Sequence, residues 1–211
     1  MAARTRLAPE DQMTIEEFLA FTDTRPDEER WELIEGEPVM SPSPVDDHQM
    51  VVANIVTALM LHKRQIGASW LPMPGIGTRV PISPRSLPQP DVFVKETPTT
   101  GSPVTNDALV LFEVLSRSNT KKDQDWRRKV YASVPNCQHY VTVSLKAVEA
   151  VAYDRDTAWQ KRAVTRLGEA LALPALGLSI PLADIYLWTS LARNKKVDGP
   201  RQAQDHRRPR R

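Results

Sequence analysis

Leu109-Val110-Leu111-Phe112-Glu113-Val114-Leu115 sets one carboxylate among apolar residues, in a run with the length and composition of a β-strand. Alternation along a strand puts Leu111, Glu113 and Leu115 on one face. An ionised carboxylate on an apolar face is costly to bury unless it is paired, hydrogen-bonded or bound to a metal. Glu113 therefore either looks into water from an edge strand or belongs to a functional site. The segments on both sides of this run decide what kind of sheet it joins.

Upstream, Gln89-Pro90-Asp91 leads into Val92-Phe93-Val94, a short strand with a carboxylate at its start. Pro-Asp by itself reads as a turn. Two carboxylates on adjacent strands, however, can share a hard divalent cation. Mg²⁺ takes oxygen ligands and needs only one or two carboxylates beside a substrate phosphate. Residues 68–82 give further extended runs, Trp70-Leu71 and Thr78 to Ile82, between proline-rich connectors. Gly75-Ile76-Gly77 lacks the rest of a dinucleotide-binding fingerprint and reads as a turn, so no nucleotide cofactor is expected.

Further toward the N-terminus, Val51, Ile55 and Leu59 repeat at i+4, as do Val52, Val56 and Met60, which predicts a long helix. Asp46 or Asp47 is placed to cap it and Gly67 to end it. Ser41-Pro42-Ser43-Pro44 before it suits only a connector. Trp31-Glu32-Leu33-Ile34 opens a hairpin that turns at Glu35-Gly36-Glu37 and returns through Pro38-Val39-Met40. Thr14 and Glu17 form a capping box for a first helix.

Downstream of Glu113, Lys121 to Val134 is helical and Pro135 ends it. Tyr140 to Val143 and Val148 to Tyr153 read as a hairpin, with Trp159 to Val164 as a third strand. Ala170 to Ile185, broken by Pro174 and Pro181, reads as a loop over one edge, and Tyr186 to Ala192 as a terminal turn or helix. This order predicts a mixed α/β (α+β) domain with a central sheet over residues 13–192. Residues 1–12 are a flexible N-terminus and 193–211 a basic tail.

The 211 residues, 41% hydrophobic and 26% charged, hold enough apolar material for one core and exclude a wholly disordered chain. Cys137 stands alone, which excludes a disulfide framework or a cysteine zinc site and suits a reducing cytoplasm. Met50 to Leu61, the longest apolar-rich stretch, is interrupted by Asn54 and Thr57 and is too short for a bilayer, so no membrane is expected as a partner. The net charge of +2 is a misleading average: residues 193–211 carry eight Lys or Arg and two Asp, and the rest carries 20 basic against 24 acidic residues. Deleting the tail is expected to weaken any binding to phosphate backbones without touching a carboxylate site.

Taken in order, Glu32-Leu33-Ile34-Glu35-Gly36-Glu37, Ser41-Pro42-Ser43-Pro44 with His48, Gln89-Pro90-Asp91 and Glu113-Val114-Leu115-Ser116 resemble the Uma2 family. That family belongs to the PD-(D/E)xK, or restriction-endonuclease-like, nuclease superfamily. Val134-Pro135, Tyr140 and Leu173 to Tyr186 look like its closing segments. The resemblance implies a restriction-endonuclease-like core and hydrolysis of DNA phosphodiesters, with Asp91 and Glu113 as ligands to Mg²⁺ or Mn²⁺. It also implies DNA as partner and a homodimer able to act on two strands. Glu32, Glu35, His48 and Gln89 are candidate accessory residues.

The superfamily pattern puts Lys two residues after Glu113, where this chain has Leu115. In the Uma2 pattern the Lys lies on the next helix, four residues before a Tyr that precedes Val-Pro. Counting back from Tyr131 gives Arg127. At roughly 100° per residue, Arg127 shares the inward arc with Trp126, Val130 and Val134, whereas Lys129 points outward. Arg127 is thus the expected site cation and Lys129 the reserve. Arg holds phosphate charge but is a poor general base. That leaves three readings open: a nuclease, a nuclease fold that binds without cutting, and a hydrolase of smaller phosphodiesters.

Overall fold

The computed structural model describes residues 11–116 and 119–193; all of the predicted tail after Arg193 and most of the predicted N-terminal segment lie outside these residues. Helix α1 (Ile15–Thr22) and the hairpin β1 (Arg30–Ile34) and β2 (Glu37–Ser41) precede the long helix α2 (Asp46–Ile66). Strands β3 (Leu71–Pro74), β4 (Gly77–Thr78), β5 (Val92–Lys95), β6 (Val104–Thr105) and β7 (Val110–Leu115) lead to helix α3 (Lys121–Ala132). Strands β8 (His139–Ser144), β9 (Ala150–Asp154), β10 (Gln160–Val164), β11 (Ala170–Leu173) and β12 (Leu178–Pro181) follow, then the short helices α4 (Leu182–Ile185) and α5 (Ser190–Arg193). No described helix is long and apolar enough to cross a membrane.

Strand β7 lies inside a six-stranded sheet of order β10-β9-β8-β7-β5-β3. It runs parallel to β8, with α3 as the crossover, and the other neighbouring pairs are antiparallel. Alternation divides the core in two. Val110, Phe112 and Val114 face α2 and pack with Val51, Ile55 and Leu59. Leu111 faces α3 and packs with Val130 and Tyr131. Both faces are covered, which is why β7 and β8 read as continuous apolar runs. Glu113 falls on the α3 face, so the edge-strand reading does not apply.

The structure departs from the sequence reading in three places. Ala170 to Ile185 is the antiparallel hairpin β11–β12 followed by α4, and not a loop. Its prolines sit where they cost no ladder bond, Pro174 in the turn and Pro181 as the last residue of β12, while Leu171, Leu173 and Ile180 face the core. Neither Asp46 nor Asp47 caps helix α2: Val45 stands at the N-cap, and both aspartates lie in the first turn, where their charge complements the helix dipole. Thr78 to Ile82 contributes only the short strand β4, paired in parallel with β6. The capping box of Thr14 and Glu17, the hairpin β1–β2 and the Gly67 end of α2 are as expected.

Gly75 fixes the approach of β3 to Asp91. Its N–H donates to the Asp91 carbonyl at 3.1 Å. A Cβ there would lie 1.4 Å from the Pro90 carbonyl oxygen, so only glycine fits. Gly75→Ala is expected to destabilise the fold by about 2–3 kcal/mol or more, read as a lower urea midpoint, because backbone must move to relieve the clash.

Candidate active site

Asp91 is set against β7 on both sides of Glu113. Its backbone N–H donates to Phe112 O at 2.8 Å, and its Oδ2 accepts from the Val114 N–H at 2.7 Å. The two carboxylates are therefore neighbours on adjacent strands, as the sequence suggested. Arg30 Nη1 donates to Asp91 Oδ1 at 3.2 Å, and His48 Nε2 lies 3.4 Å from Oδ2. Burial works against the charged form of Asp91. The His48 imidazole, the Arg30 guanidinium and the Val114 N–H outweigh it and hold the pKa below the ordinary range.

Glu113 meets α3. Its Oε1 accepts from Arg127 Nη1 at 2.9 Å and from the Tyr131 hydroxyl at 2.8 Å. Arg127 is shared: Nη1 and Nη2 also donate to Glu32 Oε1 and Oε2, at 3.0 and 2.6 Å, as a two-pronged clamp. Glu32 Oε1 accepts in addition from the Gln89 N–H at 2.6 Å. Glu32, Asp91 and Glu113 are all at most 8% exposed. Burial pushes the Glu113 carboxyl up to about 8; Arg127 opposes this, and the charges of Asp91 and Glu32 reinforce it.

These side chains suit a hard divalent cation. Glu113 Oε2 has no hydrogen-bond partner among the described residues, and both Asp91 and Glu113 line one cleft of about 1010 Å³. Burial, reinforced by the neighbouring charges of Asp91 and Glu32, raises the Glu113 pKa, and a bound cation would favour the charged form. Among the described residues no group of three or more His, Cys, Asp or Glu side chains could enclose an ion. An ion here would take its protein ligands from two carboxylates and leave the remaining positions to water and substrate oxygens, which is the habit of Mg²⁺.

The other expected residues divide. His48 is buried beside Asp91 and lines the cleft, with Nδ1 unpartnered. Gln89 lines it too, and its Oε1 accepts from Arg30 Nε at 3.2 Å. Glu35 is exposed in the hairpin turn at φ 51°, away from the pair. Lys129 is exposed on the outer side of α3 and does not line the cleft. Sequence reasoning missed Arg30 and Tyr131. Arg30 lies two residues before Glu32, on the same face of β1, and Tyr131 lies one helical turn after Arg127; both spacings were readable.

The profile of the Uma2 family, described as "Putative restriction endonuclease", matches residues 15–183. The chain belongs to the Uma2 family. No curated protein matches the chain. Solved structures match it, among them a "putative nuclease belonging to DUF820" from Anabaena variabilis ATCC 29413. That structure is 14% identical, with 83% of this chain and 98% of that chain covered at a TM-score of 0.68. At such identity the likeness carries the fold: a central mixed sheet flanked by helices, with an N-terminal helix and hairpin. This Uma2 chain has Arg127 at the position read for the site cation, and that arginine is bound to two carboxylates.

Proposed function

We propose that this Uma2 protein is a divalent-metal-dependent endonuclease that hydrolyses DNA phosphodiester bonds. The observation that carries this reading is the buried pair of Asp91 and Glu113, braced side by side at a cleft with Glu113 Oε2 free to take a ligand. Mg²⁺ or Mn²⁺, when bound, would polarise the phosphate and acidify a water. Asp91 and Glu113 would hold the ion, with Arg30 and Tyr131 fixing their orientation. Arg127 keeps Glu32 neutralised and steadies Glu113, and its charge is close enough to offset negative charge developing in the cleft.

A second reading, a nuclease fold that binds nucleic acid or a protein without cutting, is favoured by one feature. Arg127 has its terminal nitrogens committed to Glu32, Glu113 and Tyr131 and cannot act as a neutral base. The deciding measurement is conversion of supercoiled plasmid to nicked or linear DNA with Mg²⁺ or Mn²⁺, against EDTA. Metal-dependent cutting supports the endonuclease. Binding without cutting, with cutting gained in Arg127→Lys, supports the second reading and locates its cause.

A further inference from the structure

Three cations line the carboxylate cleft: Arg30, Arg127 and Lys146. Arg30 is spent on Asp91, on the Gln89 side chain and on the carbonyls of Gln89 and Pro90. Arg127 is spent on Glu32, Glu113 and Tyr131. Lys146 is exposed, and its ammonium has no partner among the described residues. The same cleft is lined by Glu28, Glu32, Asp47, Asp91 and Glu113, so its lining is net negative before any metal binds.

Lys146 stands on an anchored turn between β8 and β9. Ser144 N donates to Glu149 O at 2.9 Å, and Lys146 N donates to Ser144 Oγ at 3.1 Å. Beneath the turn, the fully buried Tyr186 places its hydroxyl 2.8 Å from the carbonyls of both Ser144 and Glu149, and it accepts from the Glu149 N–H at 3.1 Å. The backbone bearing Lys146 is thus fixed from the core side. Register places the turn relative to the carboxylates: Glu113 pairs with Thr142 and Leu115 with Ser144, so Lys146 follows the carboxyl end of the one parallel pair in the main sheet. Lys146 and both carboxylates line the same cleft.

We infer that Lys146 binds a backbone phosphate flanking the one positioned over Asp91 and Glu113, so that the substrate strand is tracked along the β8–β9 side of the cleft. This rests on the endonuclease reading and adds to it the residue that holds the strand. Lys146 contributes affinity and register, without touching the reacting atoms. A single lost phosphate contact lowers the slope of log K against log salt by about one.

The test measures binding of a fluorescein-labelled DNA duplex to the full chain by anisotropy, over a salt series with Ca²⁺ replacing Mg²⁺. Lys146→Gln is expected to lower the slope by about one and to weaken binding roughly 5–10-fold at low salt, and Lys146→Glu to do so further. Lys161→Glu, on the far edge strand β10, makes the same charge change and is expected to leave the slope alone. Thermal melting of all three variants is expected to match the wild type. An unchanged slope in Lys146→Glu while the wild type binds overturns the role of Lys146 alone, as does an equal loss in Lys161→Glu. Absence of DNA binding by the wild type overturns the endonuclease reading together with this inference.

Discussion

Asp91→Asn and Glu113→Gln are each expected to lower metal-dependent DNA cleavage by about 10³-fold or more. A bound divalent cation supplies several kcal/mol to the transition state, and each 1.36 kcal/mol is tenfold in rate. The two variants are expected to part in stability. Asparagine at 91 loses charged contacts with Arg30 and His48 and can place an amide donor against the Val114 N–H, so the fold weakens. Glutamine at 113 keeps the shape and removes a charge that the site holds at a cost. The carboxyl of Glu113 titrates near 4.5 when unfolded and about 8 when folded. Its stabilising contribution is full below the lower value and is lost as pH rises through the upper one. In EDTA above pH 8, Glu113→Gln should therefore melt higher than the wild type, by roughly 2–4 kcal/mol, with the gap closing toward pH 5. A variant that is more stable and inactive cannot owe its inactivity to misfolding. Retained cleavage, or a gap that does not grow with pH, would count against the pair as the metal site.

The sheet was legible wherever local pattern and tertiary burial agree. Leu109 to Leu115, Tyr140 to Val143 and the i+4 repeat from Val51 to Met60 all lie where two covered faces demand continuous or striped apolar residues. The β11–β12 hairpin was not legible. Its two prolines mimic a connector, and only pairing geometry reveals that they occupy a turn and a strand end. For the site, the carboxylates stood out because charge inside an apolar run is rare. Their braces did not, because Arg30, 61 residues away from Asp91 in sequence, is an ordinary surface residue type until the hairpin folds over it. The helical arc separated Arg127 from Lys129 correctly in space. It could not show that Glu32 would take up both terminal nitrogens of Arg127, since that depends on where the hairpin lands.

Arg127→Met should be among the most destabilising substitutions in the chain, by about 3–5 kcal/mol near pH 8, because it leaves Glu32 and Glu113 buried without their shared cation. Methionine fills similar volume, so lost packing contributes little. The penalty is set by uncompensated charge, and protonating Glu113, whose pKa is already raised by burial, relieves part of it. It should be largest in alkaline solution and shrink steadily toward pH 5, whereas loss of a neutral contact gives a cost independent of pH. Arg127→Lys keeps the charge but cannot reproduce the two-pronged contact with Glu32, and an intermediate cost of about 1–2 kcal/mol is expected. The mechanism is separable by a double-mutant cycle. Adding Glu32→Gln to Arg127→Met should recover a large part of the loss, since contacting charges couple by up to about 3 kcal/mol. Urea midpoints at pH 8 and pH 5 measure all four corners of the cycle. Additive costs, or a penalty independent of pH, would mean that Arg127 is a spacer and that the carboxylates are compensated elsewhere.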